Sequence, residues 1–483
     1  MKTKPMKHQK KARKLLRKNP EFYALACEQG TGKTWMLLDD AEYQWKKKMI
    51  TGMLVVAPKG VHTNWTKREI PKHMSIGYRS GAYISGMGKR AFAKLEKLMQ
   101  PNTAVLCILA INIDALNTKK GMDLCKKFLI KHEAMCVMDE SSRIKNPTSG
   151  RSKKAHILGG LATSRRPASG TMITQGPLDV FSQFEFMKPN GNLLGTTSYR
   201  SFVAEYAKLV PQSSPLVAKI RRANPYADPQ IVQRDVMGRP KYQHLKKLGK
   251  LMKPYVYRVT KKECLDLPDK VYQLYTHELT PKQRKTYMEI ETLLRYERGD
   301  GDLDVFTALT KIIKARQTVS GFIMSEGEVI GFMPMKDNPR MKLLGEIIQD
   351  LDKPFIIWAM FKEEIKQIVE LLAEQDITAV QYHGSVKTKD REIAVDSFQD
   401  GTATAFVGQP AAGGLGLTLH AAHYVIYYSN DYNLETRLQS EDRAHRIGLD
   451  HTVVYIDIAA ENTIDERISA ALQSKEDVAN KIL

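Results

Sequence analysis

Short apolar runs separated by longer amphipathic stretches constrain this chain's fold more than any other feature. MLVVAP (53–58), AVLCILA (104–110) and AMCVMDE (134–140) form a first group; FIIWAM (355–360), ATAFVG (403–408), YVIYYS (424–429) and VVYIDI (453–458) form a second. Runs this short, without polar alternation, suit strands buried on both faces in a parallel sheet covered by helices. Each group therefore predicts one doubly wound α/β sheet. In the second, Phe361, Ile365, Ile368 and Leu372 repeat at helical spacing, a stripe for packing on the sheet. Between the groups, 181–345 is richer in polar helical pattern, with loops near Pro211, Pro215 and Gly299–Asp302, and reads as helical insertions. The expected division is a lobe at 1–270 with an insertion at about 190–255, and a lobe at 271–483 with one at about 280–345.

Length agrees with two lobes, since 483 residues exceed what one hydrophobic core supports. Mean hydropathy is -0.37, and no apolar run approaches the roughly 18 residues of a membrane span. Neither a secretory signal nor an anchor is readable at the basic N-terminus. Lys and Arg number 74 against 53 Asp and Glu, a net +21 that favours a polyanionic partner. The five cysteines are scattered, without a CxxC pair, which predicts buried thiols in a reducing compartment and no zinc.

ACEQGTGKT at 26–34 follows an apolar run and precedes a helix with Leu37, Ala41 and Trp45 on one face. It reads as a phosphate cradle: Gly30, Thr31 and Gly32 bring backbone amides to phosphates, Lys33 reaches the β/γ-phosphates and Thr34 holds Mg²⁺. Cys27 occupies the place of the strict motif's first glycine, and a glycine-rich helix cap is the plain alternative. The run AMCVM delivers Asp139 and Glu140 at its end, where open α/β sheets place their sites. Asp139 suits Mg²⁺ and Glu140 the attacking water; an acidic helix cap is the alternative. In QSEDRAHR (439–446), Gln439, Arg443 and Arg446 are spaced for one helical face. Two arginines there suit a transferring phosphoryl group, or simply form a solvated face.

Taken together, these segments resemble the Swi/Snf type of superfamily 2 ATPases, whose fold is two RecA-like lobes. The likeness extends through PMKHQKKARKLL, LVVAPKGVHTNW (54–65), DESSRIKNPTS (139–149), SGTMITQGPLDVFSQFEFMKP (169–189) and YVYRVTKKECLDLPDK (255–270), and in the second lobe through QYHGSVKTKDREIAVDSFQ (381–399), GGLGLTLHAAHYVIYYSNDYN (413–433), RLQSEDRAHRIG (437–448) and NTIDERI (462–468). Ser142, Met172, Thr418 and Leu449 depart from the family pattern without touching a phosphate-handling residue.

The resemblance implies a DNA-dependent ATPase that uses ATP and Mg²⁺ between its lobes and translocates on double-stranded DNA, forked or branched DNA included; a strand-separating, annealing or branch-migrating helicase is the alternative. It implies Gln9 on adenine, Gly416 and Gln439 in the nucleotide site, and Arg443 and Arg446 as fingers from lobe two. Phosphate contacts are expected from Lys59, Asn64, Arg143, Lys145 and His383, with Arg221, Arg222, Lys246 and Lys247 as an outer clamp. A monomer is expected, without a membrane, in the cytoplasm if encoded by a bacterium or a virus, or in the nucleus if eukaryotic.

Overall fold

The computed structural model describes residues 1–223, 229–235, 238–300, 305–325, 328–412 and 417–483. Two compact units divide the chain: 1–208, 242–266 and 475–483 in the first, 209–241 and 267–474 in the second. The change of unit thus falls between Asp266 and Leu267, not after 270, and two short segments are exchanged across it.

Seven strands build the first unit's sheet: β1 (Ala24–Cys27), β2 (Gly52–Ala57), β3 (Tyr78–Tyr83), β4 (Leu106–Asn112), β5 (Ala134–Asp139), β6 (Ser164–Ser169) and β7 (Val256–Val259). They lie in the order β3-β4-β2-β5-β6-β1-β7, and every pairing is parallel. Side chains on a strand alternate between faces, so the unbroken apolar runs feed two cores. On β2, Met53, Val55 and Ala57 enter one and Leu54 and Val56 the other. β4 and β5 divide in the same way.

The second unit repeats the design with β8 (Lys270–His277), β11 (Phe355–Trp358), β12 (Ala379–Tyr382), β13 (Ala405–Gly408), β14 (Tyr424–Tyr427) and β15 (Val453–Ala460). Their order is β12-β13-β11-β14-β15-β8, again parallel throughout. A separate antiparallel hairpin joins β9 (Phe322–Ser325) and β10 (Glu328–Gly331). Phe355 and Ile357 face one core, Ile356 and Trp358 the other. The predicted stripe forms on the helix Lys362–Glu374, where Ile365, Ile368 and Leu372 are buried; Phe361 is its N-cap.

Residues 181–345 are not purely helical. They include the helices Tyr199–Tyr206, Pro215–Ala223, Leu245–Met252, Pro281–Asp300 and Val305–Val319, but also β7, β8 and the hairpin. Both β7 and β8 are outermost in their sheets, and β8 leaves Tyr272 and Leu274 exposed, so it lacks the signature of a buried strand. All five cysteines belong to the first unit, four of them buried and Cys264 half-buried. No described helix is long and apolar enough to cross a membrane.

Candidate nucleotide site and nucleic-acid surface

β1 ends at Cys27, and the chain turns through Glu28–Gly32 into the helix Lys33–Lys46. Gly30 and Gly32 both stand at φ +82, a left-handed conformation that side chains disfavour. At Gly32 a Cβ would also lie 2.3 Å from Gln9 Nε2. The helix begins without a side-chain cap, leaving its first N–H groups and positive dipole end for an anion. Lys33 Nζ donates to the carbonyls of Cys27 (2.8 Å) and Glu28 (3.4 Å), so the ammonium is folded over the loop. Thr34 is half-buried in the helix's first turn. Thr31 is buried and its hydroxyl donates to Glu28 O at 2.8 Å, so its backbone, not its side chain, suits a ligand.

Neighbouring segments brace the loop. From the helix Lys7–Lys18, His8 Nε2 lies 2.7 Å and Gln9 Nε2 3.4 Å from Thr31 O, while Gln9 Oε1 accepts the Met6 N–H at 2.9 Å. Behind it, Glu28 donates its N–H to Val259 O and accepts the Lys261 N–H at 2.7 Å. Cys27 sits with its thiol 3.6 Å from Tyr257 O, and burial pushes that thiol up to about 12. Its side chain is packed in the core, which explains how the loop tolerates it in place of glycine.

β5 delivers the acidic pair, with β6 between it and β1. Asp139 and Glu140 are both buried, and Glu140 adopts a left-handed φ of 55. Burial and the adjacent Glu140 charge raise the Asp139 carboxyl to about 6, opposed by the Trp65 bond and Lys33. Trp65 Nε1 donates to Asp139 Oδ2 at 2.9 Å, and Ser169 Oγ, at the end of β6, donates to Glu140 Oε2 at 3.2 Å. Ser141 Oγ donates to Gln183 Oε1 (2.7 Å), and Gln183 Nε2 donates to the carbonyls of Met172 (2.8 Å) and Asp179 (2.9 Å). An amide-lined turn, an ammonium, a hydroxyl and two carboxylates thus occupy the ends of three consecutive strands. This donor set fits a magnesium-bound nucleoside triphosphate.

In the second unit the helix Leu434–Ala444 stops before Arg446, so the expected single helical face is interrupted: His445 leaves the helix at φ -88, ψ 90. Both arginines nevertheless meet one segment, Arg443 Nη1 with Leu417 O (3.4 Å) and Arg446 Nη1 with Thr418 Oγ1 (3.0 Å), so Thr418, one of the departures from the family pattern, does touch a phosphate-handling candidate, contrary to the sequence expectation. Gln439 donates to Glu435 Oε1 at 3.2 Å, and Gly416 lies outside the described residues. Around Glu441, Lys270 Nζ (2.8 Å), Tyr272 Oη (2.8 Å) and Arg437 Nε (2.7 Å) all donate to its carboxylate. Arg437 also forks onto Asp457 (2.5 and 2.9 Å) and lies 3.5 Å over the Tyr427 ring.

Lys59 is exposed and Asn64 half-buried just beyond β2. Lys145 Nζ donates to Thr174 Oγ1; Arg143 is half-buried, without a partner for its Nε among the described residues. His383, beyond β12, has a depressed pKa from burial and the nearby Lys362 and Arg391 charges. The expected clamp divides: Arg221 and Arg222 belong to the second unit, Lys246 and Lys247 to the first. Lys247 is moreover paired with Glu205 at 2.7 Å, which weakens it as a phosphate contact. Sequence reasoning gave no individual role to Trp65, Ser169 or His8, although each lies in a segment that carries the family resemblance, Trp65 closing 54–65 and Ser169 opening 169–189.

Residues 8–323 match the SNF2-related domain and 339–448 the helicase conserved C-terminal domain. An uncharacterized ATP-dependent helicase of Mycoplasma genitalium is 27% identical over 471 residues, covering 95% of this chain and 40% of its own. A probable chromatin-remodeling complex ATPase chain of Oryza sativa subsp. japonica is 24% identical over 456 residues, covering 92% and 37%. The chain therefore spans about 40% of the length of such curated relatives. Among solved structures, the Sulfolobus solfataricus SWI2/SNF2 ATPase core in complex with dsDNA is 22% identical, covering 100% of this chain and 93% of that one, with a TM-score of 0.42.

Proposed function

Since the chain belongs to the SNF2-related family, we propose that it is a DNA-dependent ATPase that uses ATP and Mg²⁺ to translocate along double-stranded DNA. The observation carrying this reading is the convergence of the uncapped turn 28–32, Lys33 and the Asp139–Glu140 pair at the ends of β1 and β5.

In this reading the amides of 30–34 and the Lys33 ammonium hold the β- and γ-phosphates, and Gln9 contacts the adenine edge. Thr34 and Asp139 hold Mg²⁺, which when bound neutralises phosphate charge. Glu140 orients the attacking water and accepts its proton, kept in place by Ser169. Arg443 and Arg446 are assigned to the charge that develops on the transferring phosphoryl group, a role worth roughly 10³–10⁵ in rate. Gln439 and the Gly416 segment complete the nucleotide set. Lys59, Asn64, Arg143, Lys145 and His383 contact DNA phosphates, which position a motor without reading sequence.

The test is ATP hydrolysis measured side by side with linear duplex, forked duplex, single strand and RNA, together with displacement of a third strand from a triplex. Greatest stimulation by linear duplex, with triplex displacement and no unwinding, is expected. Best stimulation by single strands with unwinding of the fork would replace translocation by strand separation.

A further inference from the structure

We propose that Trp65 is a positioning residue that couples DNA engagement to magnesium-nucleotide binding, through the hydrogen bond from its indole to Asp139. This rests on the reading of Asp139 as the Mg²⁺ carboxylate and of Lys59 and Asn64 as phosphate contacts.

The bond joins positions 74 residues apart, on different elements of the first unit, at 2.9 Å. Trp65 is only 1% exposed and Asp139 8%, so water does not screen the bond. The indole has a single polar atom, a donor, and burying it without an acceptor is costly; Asp139 supplies that acceptor. Its ring lies in the core beside β2 and β4, so neither end of the bond is a free rotor. Committing Oδ2 to the indole fixes the carboxylate's orientation.

The segment carrying Trp65 is unusual. Val61–Asn64 is α-helical, Trp65–Glu69 is π-helical, and Ile70–His73 returns to α. Ile70 N–H donates to Trp65 O, so the wide turn begins at the tryptophan itself. Single π turns inside α-helices are uncommon and concentrate at functional sites. Immediately upstream, Gly60 stands at φ +88 with nothing within 4 Å of an added Cβ, while Lys59 is exposed and Asn64 adjoins the tryptophan. A phosphate drawn to Lys59 and Asn64 therefore acts on a backbone that shifts the Asp139 carboxylate through one rigid side chain. Coupling of this kind is reciprocal: DNA changes nucleotide affinity by the factor by which nucleotide changes DNA affinity.

The test uses Trp65→Phe, which retains a buried ring and removes the N–H, and site-specific replacement of Trp65 by 3-benzothienylalanine, which keeps the bicyclic shape and substitutes sulfur for N–H. Binding of a fluorescent, non-hydrolysable ATP analogue is titrated with Mg²⁺ in the presence and absence of duplex DNA, with thermal unfolding measured on each protein. Both replacements are expected to raise the Mg²⁺ midpoint by about tenfold, the effect of losing one hydrogen bond to a charged group, and to reduce the DNA-induced change in nucleotide affinity at least threefold. The benzothienyl protein should do so while remaining fully folded at the assay temperature, with a single cooperative unfolding transition above it, so that loss of structure does not account for the changed midpoint and DNA response. Wild-type midpoint and DNA response in that protein would overturn the proposal. Failure of the wild-type protein to bind the analogue would instead remove the nucleotide site on which it rests.

Discussion

Replacing Glu441 by Gln leaves the shape of a buried side chain and deletes its charge, which three donors share. Its carboxylate is 4% exposed, against 22% for Lys270 and 11% for Arg437, so solvent offers little compensation. Burial alone would raise the Glu441 pKa, but Lys270 and Arg437 outweigh it and hold the group at about 2 against an ordinary 4.5. At 1.36 kcal/mol per unit that shift corresponds to about 3 kcal/mol, at the lower end of the roughly 3–5 kcal/mol lost when one partner of a buried pair is removed. For a unit of this size, roughly 2–4 °C per kcal/mol predicts that calorimetry at neutral pH finds the second unit's transition about 6–20 °C lower in Glu441→Gln. A depressed carboxyl contributes its full stability above the unfolded pKa and loses it as pH falls through the folded one. The gap between wild type and variant should therefore shrink by more than half between about pH 7 and about pH 3. Transitions within about 2 °C of each other at neutral pH, or a gap that does not change on acidification, would refute the account.

Lys33→Ala should abolish hydrolysis and weaken nucleotide binding, whereas Glu140→Gln should retain binding and lose turnover; equilibrium binding beside steady-state rates separates a phosphate holder from a water-activating base. Arg446→Ala should lower ATP turnover at least about a hundredfold with DNA affinity nearly intact, and Arg443→Ala equally or less, as read by hydrolysis and anisotropy on the same preparations. Gly32→Ala should cost about 1–2 kcal/mol for a side chain at left-handed φ and, by driving Cβ into Gln9 Nε2, weaken ATP more than pyrophosphate in competition binding. Affinity for duplex DNA should fall with salt, each neutralised phosphate adding about 0.9 to the slope of log K against log salt; a flat salt titration would show that the +21 charge is not used on DNA.

The strands legible in sequence are those buried on both faces, because each then reads as an unbroken apolar run. β6 is equally central but reads SRRPAS. Its Arg166 is fully buried, bonded to Asp40 at 2.8 Å and to the carbonyls of Arg165, Asn19 and Pro20. Partners supplied from distant positions make such a strand stable, and no local pattern announces them. The same logic divides the site. Lys33, Asp139 and Glu140 could be named because a phosphate cradle and a strand-end acidic pair are contiguous signatures. Trp65 and Ser169 could not, since each acquires meaning only where the sheet brings its hydrogen-bond partner. Helical spacing grouped Gln439, Arg443 and Arg446, yet the helix ends at Ala444; the two arginines are gathered instead by the chain at 417–418.

The confinement of every cysteine to the first unit makes the molecule a built-in chemical clock for half of itself. Thiolates, not thiols, react with maleimides and aromatic disulfides, and burial pushes Cys27 and Cys136 up to about 12 and Cys125 higher still. Labelling of those sulfurs thus waits for opening of the first sheet, while the second unit can melt and refold without consuming reagent. Mass-resolved alkylation along a denaturant series accordingly assigns each unfolding event to one half of the chain, with no engineered probe.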